Sequence, residues 1–183
     1  MPIRVLETAL KEVKIIEPRV FGDERGFFFE SYNERDFEAV APGVRFVQDN
    51  QSKSRRGVVR GLHFQLPPHP QAKLVRALRG SIYDVAVDVR HSSPTFGQWI
   101  GIELSDTNFR QLWIPAGFAH GFVALSETAE VAYKTTDFWA KETESSIRWD
   151  DPILAITWPI EVEPVLSEKD KLSPFWENAV FYP

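Results

Sequence analysis

Turn-forming residues recur along this chain at intervals too short for long helices. Gly22-Asp23, Arg79-Gly80, Ser92-Ser93-Pro94, Ser105-Asp106, Pro115-Ala116-Gly117 and Asp150-Asp151-Pro152 punctuate 183 residues, and the runs between them are rich in β-branched and aromatic side chains. The clearest run is 82–89, where Tyr83, Val85, Val87 and Val89 alternate with Ile82, Asp84, Ala86 and Asp88. Two carboxylates on one strand face require a polar interior or solvent. The same reading places strands at 13–20, 26–32, 45–50, 58–64, 74–79, 99–104, 111–114, 121–124, 130–136 and 147–149. Two short helices fit, 34–40 behind an Asn33 cap and 168–172 behind a Ser167 cap, stopped by Pro42-Gly43 and Pro174. With no repeat, linker or low-complexity tract, the expectation is one all-β domain over 1–183, a sandwich or jelly-roll barrel with a few short peripheral helices.

Composition removes several chemistries. The chain has no cysteine, which excludes disulfides, thiolate catalysis, cysteine-ligated zinc and iron–sulfur clusters. Its four histidines, 63, 69, 91 and 120, form no His-x-His pair, so a barrel-mouth metal is not expected. There is no P-loop, no Gly-x-Gly-x-x-Gly and no Gly-x-Ser-x-Gly. The net charge of −5 speaks against nucleic acid as the main partner but leaves room for a local cationic patch that binds a phosphorylated small molecule. Residues 1–10 lack the apolar core and small-residue cleavage site of a signal peptide, and no apolar run approaches the ~20 residues of a membrane span, so a soluble cytoplasmic protein is expected.

Four clusters carry the polar chemistry. The densest is 48–65, holding Gln48, Asn50, Arg60 and His63, with Lys73 shortly after. Strict alternation puts Arg60 and His63 on opposite faces, so a shared pocket needs an irregularity, which Gly61 permits. The alternative is a solvated basic loop, Lys53 to Arg56, leading into a core strand whose His63 is merely hydrogen-bonded. The second cluster surrounds His120, between Gly117 and Gly121; such a histidine also serves as a packing residue in an aromatic-rich turn. The third is Tyr133-Lys134, with Phe138-Trp139 and Glu144 downstream, where the tyrosine can equally be core with its hydroxyl at the edge. In the fourth, Ser167 to Asp170, a capping box would occupy Asp170 structurally.

Taken in order, Phe21-Gly22-Asp23-Glu24-Arg25-Gly26-Phe27-Phe28-Phe29-Glu30, Gln48-Asp49-Asn50, Val59-Arg60-Gly61-Leu62-His63-Phe64-Gln65, Ala72-Lys73-Leu74-Val75-Arg76, Ile114-Pro115 through His120-Gly121-Phe122, and Ser167 through Asp170 closely resemble the dTDP-4-dehydrorhamnose 3,5-epimerases. The match runs from about Val13 to Pro174. The resemblance implies a cupin-type jelly roll and a cofactor-independent, metal-free epimerisation at C3 and C5 of a dTDP-linked 4-keto-6-deoxyhexose, in dTDP-L-rhamnose synthesis. It makes His63 the base, Asp170 the carboxylate orienting it, Lys73 the cation beside the C4 oxygen and Tyr133 the acid on the far side. Arg25 and Arg60 match cations near the pyrophosphate. Phe27, Glu30, Gln48 and Asn50 match positions around the nucleotide, and His120, Glu144 and Lys169 further ligand contacts. Asp84 is matched more loosely, as a ligand-site residue that could pair with Lys73. The resemblance also implies a homodimer in which Arg25 to Glu30 serve the neighbouring site.

One departure stands out: many relatives carry a second tyrosine soon after the catalytic one, where this chain has Phe138-Trp139. That keeps open an epimerase acting at C3 or C5 alone. A nucleotide-sugar-binding cupin without turnover and a metal-dependent oxygenase are the readings of other classes.

Overall fold

The computed structural model describes residues 3–183. Met1 and Pro2, part of the stretch read for a leader, lie outside the described residues. The strands are β1 (Arg4–Glu7), β2 (Lys14–Glu17), β3 (Phe21–Asp23), β4 (Gly26–Phe28), β5 (Gln48–Arg55), β6 (Val59–Gln65), β7 (Lys73–Arg79), β8 (Ser81–Asp88), β9 (Trp99–Ser105), β10 (Gln111–Ile114), β11 (Phe118–Ala124), β12 (Thr128–Thr135) and β13 (Glu144–Ser146). The helices are α1 (Glu34–Phe37) and α2 (Glu168–Lys171). Antiparallel pairing builds a six-stranded sheet, β1-β2-β10-β7-β12-β5, and a five-stranded sheet, β13-β6-β11-β8-β9. These are the two layers of a cupin-type jelly-roll sandwich whose sheets keep open edges rather than closing into one barrel. The β3–β4 hairpin pairs only with itself.

Alternation explains the layering. Val75, Ala77, Leu112 and Val131 of the larger sheet meet Ile82, Ala86, Leu104, Phe118 and Phe122 of the smaller one in the central core. The other face of β8 and β11, with Val85, Val87 and Ala119, is covered by the C-terminal segment through Leu154, Trp158, Trp176 and Phe181. Phe37 and Val40 cover the outer face of the larger sheet at Leu74 and Trp113. Each large side chain so buried contributes ~1.5–3 kcal/mol. Asp84 and Asp88 are therefore both interior, each 0% exposed. Asp88 is fully satisfied at the strand end by Arg90, Ser93 and Thr95. Asp84 belongs to the site.

Tertiary pairing overrode local signals in several places. The basic stretch expected as a loop lies largely in β5, because eight residues from Gln48 to Arg55 pair with Thr135 to Thr128. His120 is mid-strand rather than in a turn, since β11 pairs with β8 continuously from Phe118 to Ala124. The strand expected at 147–149 forms earlier, at β13, while Ile147 drops into the core and exchanges backbone hydrogen bonds with Leu62. The expected strands 13–20 and 26–32 shrink to β2 and β4, and β1 had no sequence signal. Both caps are found: Asn33 accepts from the Arg35 amide and Ser167 from the Asp170 amide. The helices are nevertheless only four residues long.

Candidate active site

The cavity begins with a fault in a β-ladder. On the β6–β11 pair, Arg60 faces Phe122 and His63 faces His120, so two residues of β6, Gly61 and Leu62, stand against the single Gly121. Gly61 has φ +129°, and a Cβ there would lie 2.5 Å from the Gly121 Cα. Only glycine fits this backbone and this approach. The extra residue resets the alternation, and Arg60 and His63 both line a cavity of about 360 Å³ between the sheets. Lys73, His120, Tyr133, Ser167, Lys169 and Asp170 line it too.

His63 is oriented from α2. Its Nε2 lies 2.5 Å from Asp170 Oδ1, and the Ser167 hydroxyl, which caps the helix, donates to Asp170 Oδ2 at 2.7 Å. The capping and orienting roles of Asp170 thus coexist, one oxygen each. Burial of Asp170 works against its ionisation and is the largest influence. The hydrogen bonds from His63 and Ser167 and the nearby charges of His63 and Lys169 outweigh it, holding the carboxyl below its ordinary value. With a carboxylate fixing Nε2–H, the neutral ring keeps its lone pair on Nδ1, the nitrogen left for proton transfer.

A second pair stands beside the first. His120, opposite His63 in the ladder, has Nε2 at 2.7 Å from Asp84 Oδ1. Burial pushes the His120 imidazole below its ordinary pKa despite the adjacent Asp84 carboxylate, and the charges of Lys73 and His63 push the same way. Lys73, on β7, is 8% exposed and donates to the His63 carbonyl at 3.2 Å. Burial lowers its ammonium to about 8, with Asp84 and then Glu144 opposing that fall. Across the cavity, burial raises the Tyr133 phenol, which therefore stays protonated at neutral pH.

The remaining sequence-predicted residues divide. Arg60 sits at the mouth, bonded to Ser54 Oγ and the Lys53 carbonyl. Lys169 and Glu144 form an ion pair of 2.5 Å at the rim. Asn50 lines an adjoining groove shared with Tyr133, and Gln48 links the Asn50 side chain to the Trp139 amide. Arg25, Phe27 and Glu30 do not line the cavity. Arg25 pairs with Asp23 on the exposed hairpin, Phe27 packs on Phe29 and Phe109, and Glu30 accepts from Asn33. Asp84 does not line it either, because it is buried behind His120, and its hydrogen bond goes to that ring while its charge acts on Lys73. Ser52, which sequence reading missed, lines the cavity with a buried hydroxyl. Its signal was the polar alternation Asn50, Ser52, Ser54. Phe138 and Trp139 are 62% and 56% exposed. Among the described residues, no three His, Cys, Asp or Glu side chains gather as metal ligands, and no helix is long and apolar enough to cross a membrane.

Comparison with known proteins bears on this arrangement. The chain is 58% identical to the dTDP-4-dehydrorhamnose 3,5-epimerase of Pseudomonas aeruginosa over 182 residues, covering 99% of this chain and 100% of the relative. It superposes with a TM-score of 0.93 on the crystal structure of dTDP-6-deoxy-D-glucose-3,5-epimerase from Legionella pneumophila in complex with dTDP-4-keto-L-rhamnose, at 50% identity, covering 96% and 94% of the two chains. A more distant structure, a 3'-monoepimerase from Streptomyces bikiniensis in complex with dTDP-quinovose, is 33% identical with a TM-score of 0.87, covering 92% and 86%. Residues 7–178 match the dTDP-4-dehydrorhamnose 3,5-epimerase family. A match of that span, with half or more of the residues shared end to end with such relatives, makes the chain a member of the dTDP-4-dehydrorhamnose 3,5-epimerase family.

Proposed function

We propose that this enzyme inverts C3 and C5 of dTDP-4-dehydro-6-deoxy-D-glucose to give dTDP-4-dehydro-L-rhamnose, without a cofactor, acting as one domain over 1–183 in the cytoplasm. The observation that carries the reading is the carboxylate-fixed His63 facing Lys73 and Tyr133 in one cavity. Each hydrogen to be moved is α to the C4 carbonyl. Its removal needs a base, the enolate oxygen needs positive charge, and inversion needs an acid on the opposite face. His63 takes the proton through Nδ1, and the resulting imidazolium is stabilised by Asp170. Lys73 offsets the enolate charge in a buried setting, where a charge acts more strongly than in water. Tyr133, on the facing sheet, returns a proton from the other side.

The carrier side is proposed to be completed by a second copy. The Arg25–Phe28 hairpin is exposed and away from the cavity of its own chain, which fits a homodimer whose hairpins serve the partner's nucleotide subsite. Arg60 and Lys169 supply cations from the cavity's own chain, and the guanidinium fork of Arg60 suits phosphate oxygens. Mixing two variants that are impaired at low substrate concentration, His63→Ala and an Arg25→Ala/Glu30→Ala double, and assaying at that concentration tests this. A shared site gives mixed dimers more activity than either variant alone, and a mixture no more active than its parents refutes the trans arrangement.

Incubation with dTDP-4-keto-6-deoxyglucose in deuterated water tests the reaction: label enters at both C3 and C5. Label at one centre alone supports the single-centre reading, which Phe138-Trp139 keeps open, and no label supports a binding protein.

A further inference from the structure

Asp84 is a fully buried charged group that does not line the ligand space, and it carries a buried oxygen, Oδ2, with no hydrogen-bond partner among the described residues. A solitary carboxylate inside a sandwich costs several kcal/mol unless something nearby makes use of its charge. Two groups do. His120 occupies Oδ1 at 2.7 Å, and the ammonium of Lys73 feels Asp84 as its strongest neighbouring charge. Both partners line the cavity, on opposite sheets, and Asp84 sits behind them.

We propose that Asp84 is a positioning residue for the enolate step: one oxygen locks His120 as the neutral Nε2–H tautomer, and the carboxylate charge keeps Lys73 an ammonium inside the apolar sandwich. The inference rests on the enolate reading above. It assigns the paired carboxylates unequal tasks, since Asp170 supports a ring that becomes charged while Asp84 supports a ring that stays neutral. The hydrogen bond of Asp84 thus fixes the imidazole, while its charge acts on the ammonium. The groups around Lys73 are the carboxylates of Asp84 from β8 and Glu144 from β13, with His63 from β6, His120 from β11 and Tyr133 from the neighbouring β12 lining the same cavity. Of the two carboxylates, Asp84 acts the more strongly.

The test is the pH profile of kcat/KM. In the wild type the alkaline limb follows Lys73, near pH 8. Asp84→Asn removes the charge in nearly the same volume, and the limb moves acidward by ~1 pH unit, with a roughly fivefold loss at pH 8. Glu144→Gln moves it less. A folded Asp84→Asn enzyme whose limb stays in place overturns the proposal. If that variant does not fold, nitrogen NMR of the wild-type protein without substrate decides the matter. His120 as an Nε2–H tautomer that does not titrate between pH 5 and 8 supports the proposal, and an Nδ1–H tautomer or a titrating ring overturns it. Because the NMR measurement needs no turnover, failure of the deuterium assay would refute the reaction assignment separately from the pairing.

Discussion

The wall that carries His63 and the hairpin that carries Arg25 are built to opposite specifications. His63, Lys73, His120 and Asp170 come from four different elements, yet hydrogen bonds tie their positions together and burial tunes their protonation. Arg25 is 86% exposed at its side chain, and it pairs with Asp23 of the same turn. The first arrangement is finished within one chain. The second offers cations and rings with no cavity of their own, as expected of a surface that completes its task against another molecule. Proton transfer demands groups held before substrate arrives, whereas recognition of a flexible anionic carrier tolerates ordering on arrival.

Substitutions sharpen this contrast in order of expected size. His63→Ala should lower turnover by ~10³-fold or more while dTDP still binds, because a general base is worth about 10²–10⁴; isothermal titration beside the epimerase assay checks both halves. Tyr133→Phe should cost roughly 10²-fold in epimer formation. Washing of solvent deuterium into recovered substrate should fall less, since His63 still abstracts, and equal losses would take Tyr133 out of the acid role. Asp170→Asn should slow turnover about tenfold or more and destabilise the fold by ~1–3 kcal/mol, the usual cost of breaking a buried charged hydrogen bond. The folded-state pKa of Asp170 is depressed, so this stability difference is present above the ordinary carboxylate range and vanishes as pH falls through the folded value. Urea titrations of both proteins across acidic pH measure it. Arg25→Ala should raise KM about tenfold and leave kcat and stability nearly unchanged, because an exposed ion pair contributes little. A collapse of kcat in that variant would break the comparison.

The sequence carried the wall more legibly than the fold around it. His63, Lys73, Tyr133 and Asp170 were assigned from ordered motifs, and the Gly61 irregularity followed from a conflict: two polar residues three apart on a strand cannot share a face unless the ladder slips. Asp84 and Asp88 looked alike in the 82–89 alternation. Only the packing shows one met by three donors near the strand's end and the other sunk behind a histidine. The basic run in β5 misled because four charged or polar residues in a row resemble a loop, and the pairing that makes them a strand lies some eighty residues away in β12. No local signal reports a partner that distant in the chain. The position of the Arg25 hairpin, clear of its own cavity, was legible only through the resemblance, which implied that Arg25 to Glu30 serve a neighbouring site; motif order by itself records which residues a site uses and not where the hairpin lies.

The contact between Gly61 and Gly121 has a consequence for how this enzyme tolerates change. Because the two main chains touch there, the spacing of β6 and β11, and with it the offset between His63 and His120, is set by backbone against backbone rather than by any side chain that substitution could swell or shrink. Truncating a fully buried core residue such as Leu104 then costs packing energy, ~2–5 kcal/mol, without touching the contact that sets this offset. Mutational robustness is concentrated at two positions that can hardly vary, and a library aimed at new sugar substrates should leave that pair untouched and diversify the rim.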